Sequence, residues 1–186
     1  PLPKQNVDTG AGLERFASIL QNKTDNYDTD LFVNLKRAVS DITGVAETPD
    51  NVASFKVITD HLRSVGFAIA DGVIPSNTDR GYVIRRILRR AMRHGQILGH
   101  RGALLSKLYP ALITEMGNAY PELAREQDRV IEIIRNEENS FADMLQNGMK
   151  LLEAELPKLN NGILPGDVAF KLFDTYGFPL DLTQMI

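Results

Sequence analysis

Leu123, Val130, Ile134, Phe141, Leu145, Leu152 and Leu156 follow one another in alternating steps of seven and four residues. Steps of that size return a side chain to the same side of an α-helix, so these residues form one seam. Pro121 stands where a helix tolerates proline, in its first turn, and the spacing predicts one helix from Pro121 to about Leu156. Roughly 36 residues at about 1.5 Å each make a rod on the order of 54 Å long. A rod with one apolar seam needs a cover. The flanking segments need apolar partners too, so a bundle is expected rather than a free coiled coil.

Those flanking segments also carry the helical period. Leu31, Phe32, Leu35, Ala38, Val39 and Ile42 share one face of an expected helix Asp30–Thr43, with Gly44 at its end. Pro49 opens the next, which runs through Phe55, Ile58, Leu62, Val65 and Ile69 to Asp71-Gly72. Val83, Ile84, Ile87, Leu88, Ala91 and Met92 mark a further helix ending near Gly95–Gly99, and Ser76-Asn77-Thr78-Asp79 supplies oxygens to cap it. Shorter helices are expected over Ala103–Met116 and Val168–Phe173, with a turn at Asn160-Asn161-Gly162.

The charges are segregated. The net charge is −3, which by itself argues mildly against a nucleic-acid partner. Yet Arg80, Arg85, Arg86, Arg89, Arg90, Arg93 and Arg101 fall in one stretch that holds no acid and no lysine, whereas Glu115 to Glu155 is rich in Glu and Asp. On a helix the doublets Arg85-Arg86 and Arg89-Arg90 lie one turn apart and flank the apolar stripe. Guanidinium forks bind phosphate oxygens in pairs, so this face suits an A-form RNA backbone. The plainer alternative is an arginine helix paired with acids of the same chain.

A second chemical signal lies at the start of the chain, in Val7-Asp8-Thr9-Gly10-Ala11-Gly12-Leu13-Glu14-Arg15. A short extended run meets a helix through two glycines, which let the backbone turn sharply and approach a ligand. The helix that follows carries Leu13, Phe16, Ala17, Ile19 and Leu20 on its apolar face and offers N–H groups to an anion. Arg15 adds a positive charge suited to a phosphate or a purine. A dinucleotide turn would need glycine where Arg15 stands, so that reading fails on its own motif.

These residues resemble motif 3 of the class II aminoacyl-tRNA synthetases. Asp8 through Leu20, Asn26–Phe32, Asp60–Ser64, Asp71–Asn77, Arg80–Arg86 and Asp174–Pro179 occur in the order in which the alanyl-tRNA synthetase family has similar segments. The resemblance spans the whole chain. It implies a mainly α fold, a helical bundle with a remnant strand–helix of a class II antiparallel sheet at the N-terminus. Residues 1–26 would be the end of the aminoacylation domain and residues 27–186 the helical tRNA-recognition domain. Pro1 is not an initiator Met and Ile186 follows soon after a Phe-Pro. Both ends read as cut, with motifs 1 and 2 expected before the chain and the editing and C-terminal domains after it.

By the same resemblance Gly10, Gly12 and Arg15 would bind ATP, and Asp8 with Gly10 would bind alanine. Asn77 and Asp174 fall on the positions with which such enzymes read a G·U wobble pair in the tRNA acceptor stem, where the guanine 2-amino group projects into a minor groove that side chains can reach. A carboxylate only accepts and an amide does both, so the two could share that readout. Without the resemblance Asn77 reads as a helix N-cap, Asp174 as a turn residue, Asp8 as a strand-end turn and Glu14 as a first-turn helix charge. Arg80, Arg85, Arg86, Arg89, Arg90 and Arg93 would track the tRNA backbone. The implied reaction activates alanine with ATP and Mg2+ and transfers it to tRNA, by orientation and charge stabilisation, with no covalent nucleophile or general base expected here. The piece itself is expected to be inactive and to hold no bound cofactor.

Other classes are constrained by what is missing. No stretch approaches the roughly 20 apolar residues of a membrane span, and no secretory signal is visible, so a cytoplasmic location is expected. There is no cysteine, and His61, His94 and His100 lack helical i, i+4 spacing, so disulfides and a zinc site are not expected. A non-enzymatic helical RNA-binding module would explain the arginines but leave the Gly10–Arg15 turn idle. A purely structural bundle would explain the seam but not the arginine cluster.

Overall fold

The computed structural model describes residues 10–158 and 163–174. Among them the chain is mainly helical, and no strand forms beyond a single bridge residue at Ile163. The strand expected over Val7–Thr9, and with it Asp8, lies outside the described residues, as do the turn at Asn160–Gly162 and the segment after Asp174. The helices are α1 (Leu13–Leu20), α2 (Asp30–Thr43), α3 (Val52–Ala70), α4 (Asp79–Ile97), α5 (Leu105–Met116), α6 (Pro121–Arg125), α7 (Gln127–Glu155) and α8 (Gly166–Asp174). The chain divides into two compact units, Pro1–Ile134 and Arg135–Ile186.

In the first unit α3 is the central element and packs most extensively against α4, with α2 and α5 also on it. Phe55, Ile58, Leu62, Val65 and Ile69 of α3 are at most 1% exposed. They meet a core that also holds Phe32, Leu35 and Val39 of α2, Leu88 and Ala91 of α4, and Leu105, Leu108 and Leu112 of α5. Burying each such side chain stabilises the fold by about 1.5–3 kcal/mol, the term that turns weak helical segments into a domain. α2 has the bounds its periodicity predicts and stops at Gly44, whose φ of 73° suits a residue without a Cβ. In the second unit Phe141, Leu145 and Leu152 of α7 and Leu172 of α8 are buried.

The structure corrects several expectations. The long helix is not continuous: it breaks at Glu126, so α6 and α7 replace the single rod. A continuous helix would give the Leu123 carbonyl to the amide of Gln127, four residues on. Here the buried Tyr109 hydroxyl of α5 donates to that carbonyl at 3.0 Å. A side chain inserted into the backbone ladder is a recognised cause of a helix break. The seam ends early as well. Leu156 is 38% exposed and begins a short 3-10 turn, Leu156–Lys158, because Pro157 disfavours the α conformation at the residue before it.

At the other junctions, α3 begins at Val52 rather than Pro49. The Asn51 side chain accepts from the Thr48 amide at 2.7 Å and donates to the Ala46 carbonyl at 2.9 Å, closing a turn that delays the helix. Val83, placed in the apolar stripe of α4 by its spacing, is 53% exposed. The N-cap of α4 is Thr78, which makes no side-chain capping bond.

Candidate nucleic-acid interface

α4 sorts its arginines into two rows. Arg80, Arg86 and Arg90 are exposed, whereas Arg85, Arg89 and Arg93, at i, i+4 and i+8, are half-buried. The half-buried row is engaged by partners within the protein. On the exposed side Arg86 lies over the Tyr82 ring, 5.7 Å from its centroid, and Tyr82 is itself 46% exposed. That face therefore joins cationic groups to an accessible aromatic ring, a combination that suits phosphate and base contacts.

The loop before α4 is fastened to the helix by Arg85. Its Nη1 donates to the Asn77 side-chain oxygen at 2.5 Å and its Nη2 to the Pro75 carbonyl at 3.3 Å. Gly81, in the first turn of α4, makes this close lie of the loop feasible. A Cβ at position 81 would stand 2.3 Å from the Ile74 carbonyl oxygen and 2.3 Å from the Ser76 hydroxyl. Asp79, between the loop and the helix, has a φ of 52°, a conformation that costs a non-glycine residue energy and persists only where its surroundings enforce it. Asn77 is thus an exposed residue held by an arginine rather than the cap of α4. Asp174 is exposed at the last residue of α8, in the second unit.

On the inner side of α4, His94 faces α3, with Nδ1 3.0 Å from the Ser54 hydroxyl. Burial pushes its pKa below the ordinary histidine value, and the neighbouring Arg90 and Arg93 charges push the same way. The half-buried His94 imidazole is therefore biased toward its neutral form.

The nucleotide turn is partly described. Gly12 is the N-cap of α1 in an extended conformation, and Gly10, Gly12 and Arg15 are all exposed. Among the described residues no neighbouring atom lies within 4 Å of where a Cβ on Gly10 would stand. Glu14 points the other way. Its pKa is lowered, first by its own backbone amide and then by Arg63, whose Nη2 donates to Oε1 at 2.8 Å. The Glu14 carboxylate thus serves the helix start and ties α1 to α3. Asp60, Ser64 and Phe67 join Glu14 and Arg63 around a cavity of about 160 Å³. Among the described residues no group of three or more His, Asp or Glu side chains could hold a metal ion.

The rest of the α1 attachment is also polar. Ser18 Oγ donates to Asn26 Oδ1 at 2.9 Å, Gln21 Nε2 donates to Asp30 at 2.7 Å, and Lys56 of α3 pairs with Asp25. The apolar face of α1 points outward: Leu13, Phe16, Ile19 and Leu20 are 49%, 56%, 71% and 81% exposed. Sequence reasoning quoted Arg63 within a motif but gave it no role, and it missed Gly81 and the clamp by Arg85. A carboxylate and an arginine 49 positions apart carry no local signal that they meet.

The chain belongs to the class II tRNA synthetases, group A, whose family model matches residues 1–186. Within that class it is similar to alanine–tRNA ligases. It is 54% identical over 185 residues to that of Cereibacter sphaeroides, 52% over 183 residues to that of Pseudoalteromonas translucida and 51% over 183 residues to that of Hydrogenovibrio crunogenus. These alignments cover 98–99% of this chain and 21% of each relative. The chain thus spans about a fifth of the length of the curated relatives it matches. Among the described residues no helix is long and apolar enough to cross a membrane.

Proposed function

We propose that this chain works as part of an alanine–tRNA ligase, in which it presents the acceptor stem of tRNA to a site where ATP has activated alanine. The observation that carries this reading is the exposed row of Arg80, Arg86 and Arg90 on α4, next to a loop that holds Asn77 outward. Identity above 50% to ligases of that name supports it.

In this reading Gly10, Gly12 and Arg15 lie along ATP, and Asp8 with Gly10 receives the alanine ammonium. Asn77 and Asp174 read the G·U wobble pair from the minor groove. Mg2+ enters with ATP and is assigned to none of the described residues. The outward apolar face of α1 fits a helix that packs on the antiparallel sheet implied for the aminoacylation domain, with the boundary between the domains near residue 26. The piece alone is inactive, and the working enzyme is cytoplasmic.

Charging of acceptor-stem hairpins by the full-length protein tests the reading. A G·U stem should be charged far better than one with G·C at that position, and Asn77→Ala should shrink the difference. A helical RNA-binding module outside synthesis would bind the hairpins with a strong salt dependence and charge neither. Alanine-dependent pyrophosphate exchange by the 186-residue piece, free of host enzyme, would show that the site is not partial.

A further inference from the structure

We infer that Arg85 is the orienting partner of Asn77 and fixes which half of the Asn77 amide faces the RNA. This rests on the reading of Asn77 as a base-pair contact and deepens it. A guanidinium only donates hydrogen bonds, so the Asn77 atom that it holds at 2.5 Å must be the amide oxygen. The amide nitrogen then occupies the other branch of the group, turned away from Arg85, on a residue exposed to solvent. Asn77 therefore presents two N–H donors outward. Its oxygen is turned toward Arg85.

The same guanidinium holds the Pro75 carbonyl, so the loop and the side chain it carries are fastened by one group. The contact of Gly81 with Ile74 and Ser76, and the positive φ of Asp79, fix the loop from its other side. A preset amide loses less freedom on binding than one that must be ordered by the partner. It also makes a choice. In an A-form minor groove Asn77 takes an acceptor, such as uracil O2, guanine N3 or a ribose 2′-oxygen. A donor such as the guanine 2-amino group meets the N–H side of Asn77, with the oxygen turned toward Arg85, and is better met by an acceptor-only group, a carboxylate. Arg85 is thus a positioning residue for recognition and not one of the phosphate contacts, although it stands in the same arginine run.

The test uses the full-length protein and two acceptor-stem hairpins, one with G·U and one with G·C at the recognised pair. The readouts are the ratio of their charging kcat/KM values and the salt slope of hairpin binding. Arg85→Ala should cut the G·U over G·C ratio by about tenfold or more, the discrimination that a good base contact carries, with the salt slope unchanged. Arg85→Lys, which can hold the oxygen with one donor, should restore part of the ratio. Asn77→Asp keeps an oxygen for Arg85 and removes both outward donors, so it should lose the ratio with its thermal melt unchanged. That variant carries the test if Arg85→Ala does not fold. The double variant Asn77→Ala with Arg85→Ala should be no worse than Asn77→Ala alone.

A salt slope shallower by about one with an intact ratio would make Arg85 a phosphate contact and overturn the inference. Retention of the ratio by Asn77→Asp would overturn it too, because Asn77 would then act as an acceptor. A ratio untouched by Asn77→Ala fails differently. It would remove Asn77 from the recognition site and with it the reading on which the inference rests.

Discussion

Arg63 of α3 donates from Nη2 to Oε1 of Glu14 in the first turn of α1, across 2.8 Å and 49 positions of sequence. The same guanidinium lies 4.6 Å from the centre of the Phe32 ring of α2, so one side chain touches three helices. α1 is otherwise held by small polar contacts, since its large apolar residues face outward. The stretch that carries Gly10, Gly12 and Arg15 is therefore positioned on the helical unit by electrostatics more than by apolar packing.

That attachment is acid-sensitive. The Glu14 pKa is lowered from 4.5, and Asp25, paired with Lys56 and bonded by the Tyr27 amide, is lowered from 3.8. A carboxylate with a depressed folded pKa adds stability that is complete above its unfolded value and is lost as pH falls through the folded one. α1 should stay attached at neutral pH and loosen below about pH 4.5. Amide hydrogen exchange of residues 13–20 against pH checks this. Glu14→Gln should raise exchange in α1 at pH 7 and remove part of its dependence on acid, while α3 stays protected. Equal protection of α1 in the variant would show that the pair does not hold it.

The helix break at Glu126 makes a second expectation. Tyr109 is fully buried, its pKa is pushed up to about 12 by burial, and its hydroxyl satisfies the Leu123 carbonyl. Tyr109→Phe removes the donor and leaves a buried carbonyl to find another. The loss should be about 1–3 kcal/mol in denaturant melts, larger than the loss of an exposed hydroxyl. If the carbonyl instead recovers the Gln127 amide, α6 and α7 should merge, with more helical signal by circular dichroism and a smaller loss.

Much of the fold was legible because helical spacing is a local property. The bounds of α2 and the buried residues of α3 follow from apolar positions three and four apart, and six of the seven seam residues are buried. The Glu126 break was not legible, because its cause is a tyrosine from another helix and nothing in residues 121–130 announces it. Val83 has the right spacing for the core stripe of α4 and is exposed all the same, since spacing names a face but not its width. The site divides in the same way. The arginine cluster is plain in the sequence, yet its two rows, one engaged and one exposed, become distinct only when neighbours fill one side of the helix.

Gly81 gives a third expectation. A methyl group at position 81 would collide with the Ile74 carbonyl and the Ser76 side chain at 2.3 Å, so Gly81→Ala must push the loop off α4. Alanine is the better helix former by about 1 kcal/mol, and in an unobstructed helix the change would stabilise. Here the sign should reverse, with a lower Tm. A raised Tm would mean that the loop does not lie against the helix as described.

The two rows of α4 predict different responses to the same kind of substitution. Arg86 and Arg90 are exposed one turn apart, about 6 Å along the helix, and in the proposed reading each meets a phosphate of the acceptor stem. Arg86→Ala or Arg90→Ala should weaken binding of G·U and G·C hairpins alike and flatten the log–log salt dependence by about one unit or less per lost contact. Arg89 and Arg93 are half-buried and already engaged within the protein. Their alanine variants should instead lower thermal stability, because they remove half-buried side chains that are engaged within the protein, and should leave the salt slope as it was. Hairpin titrations at several salt concentrations, run beside thermal melts on the four variants, separate the rows. If Arg86→Ala and Arg90→Ala keep the full slope, the exposed face of α4 is not the phosphate-tracking surface, and the arginines serve the fold alone.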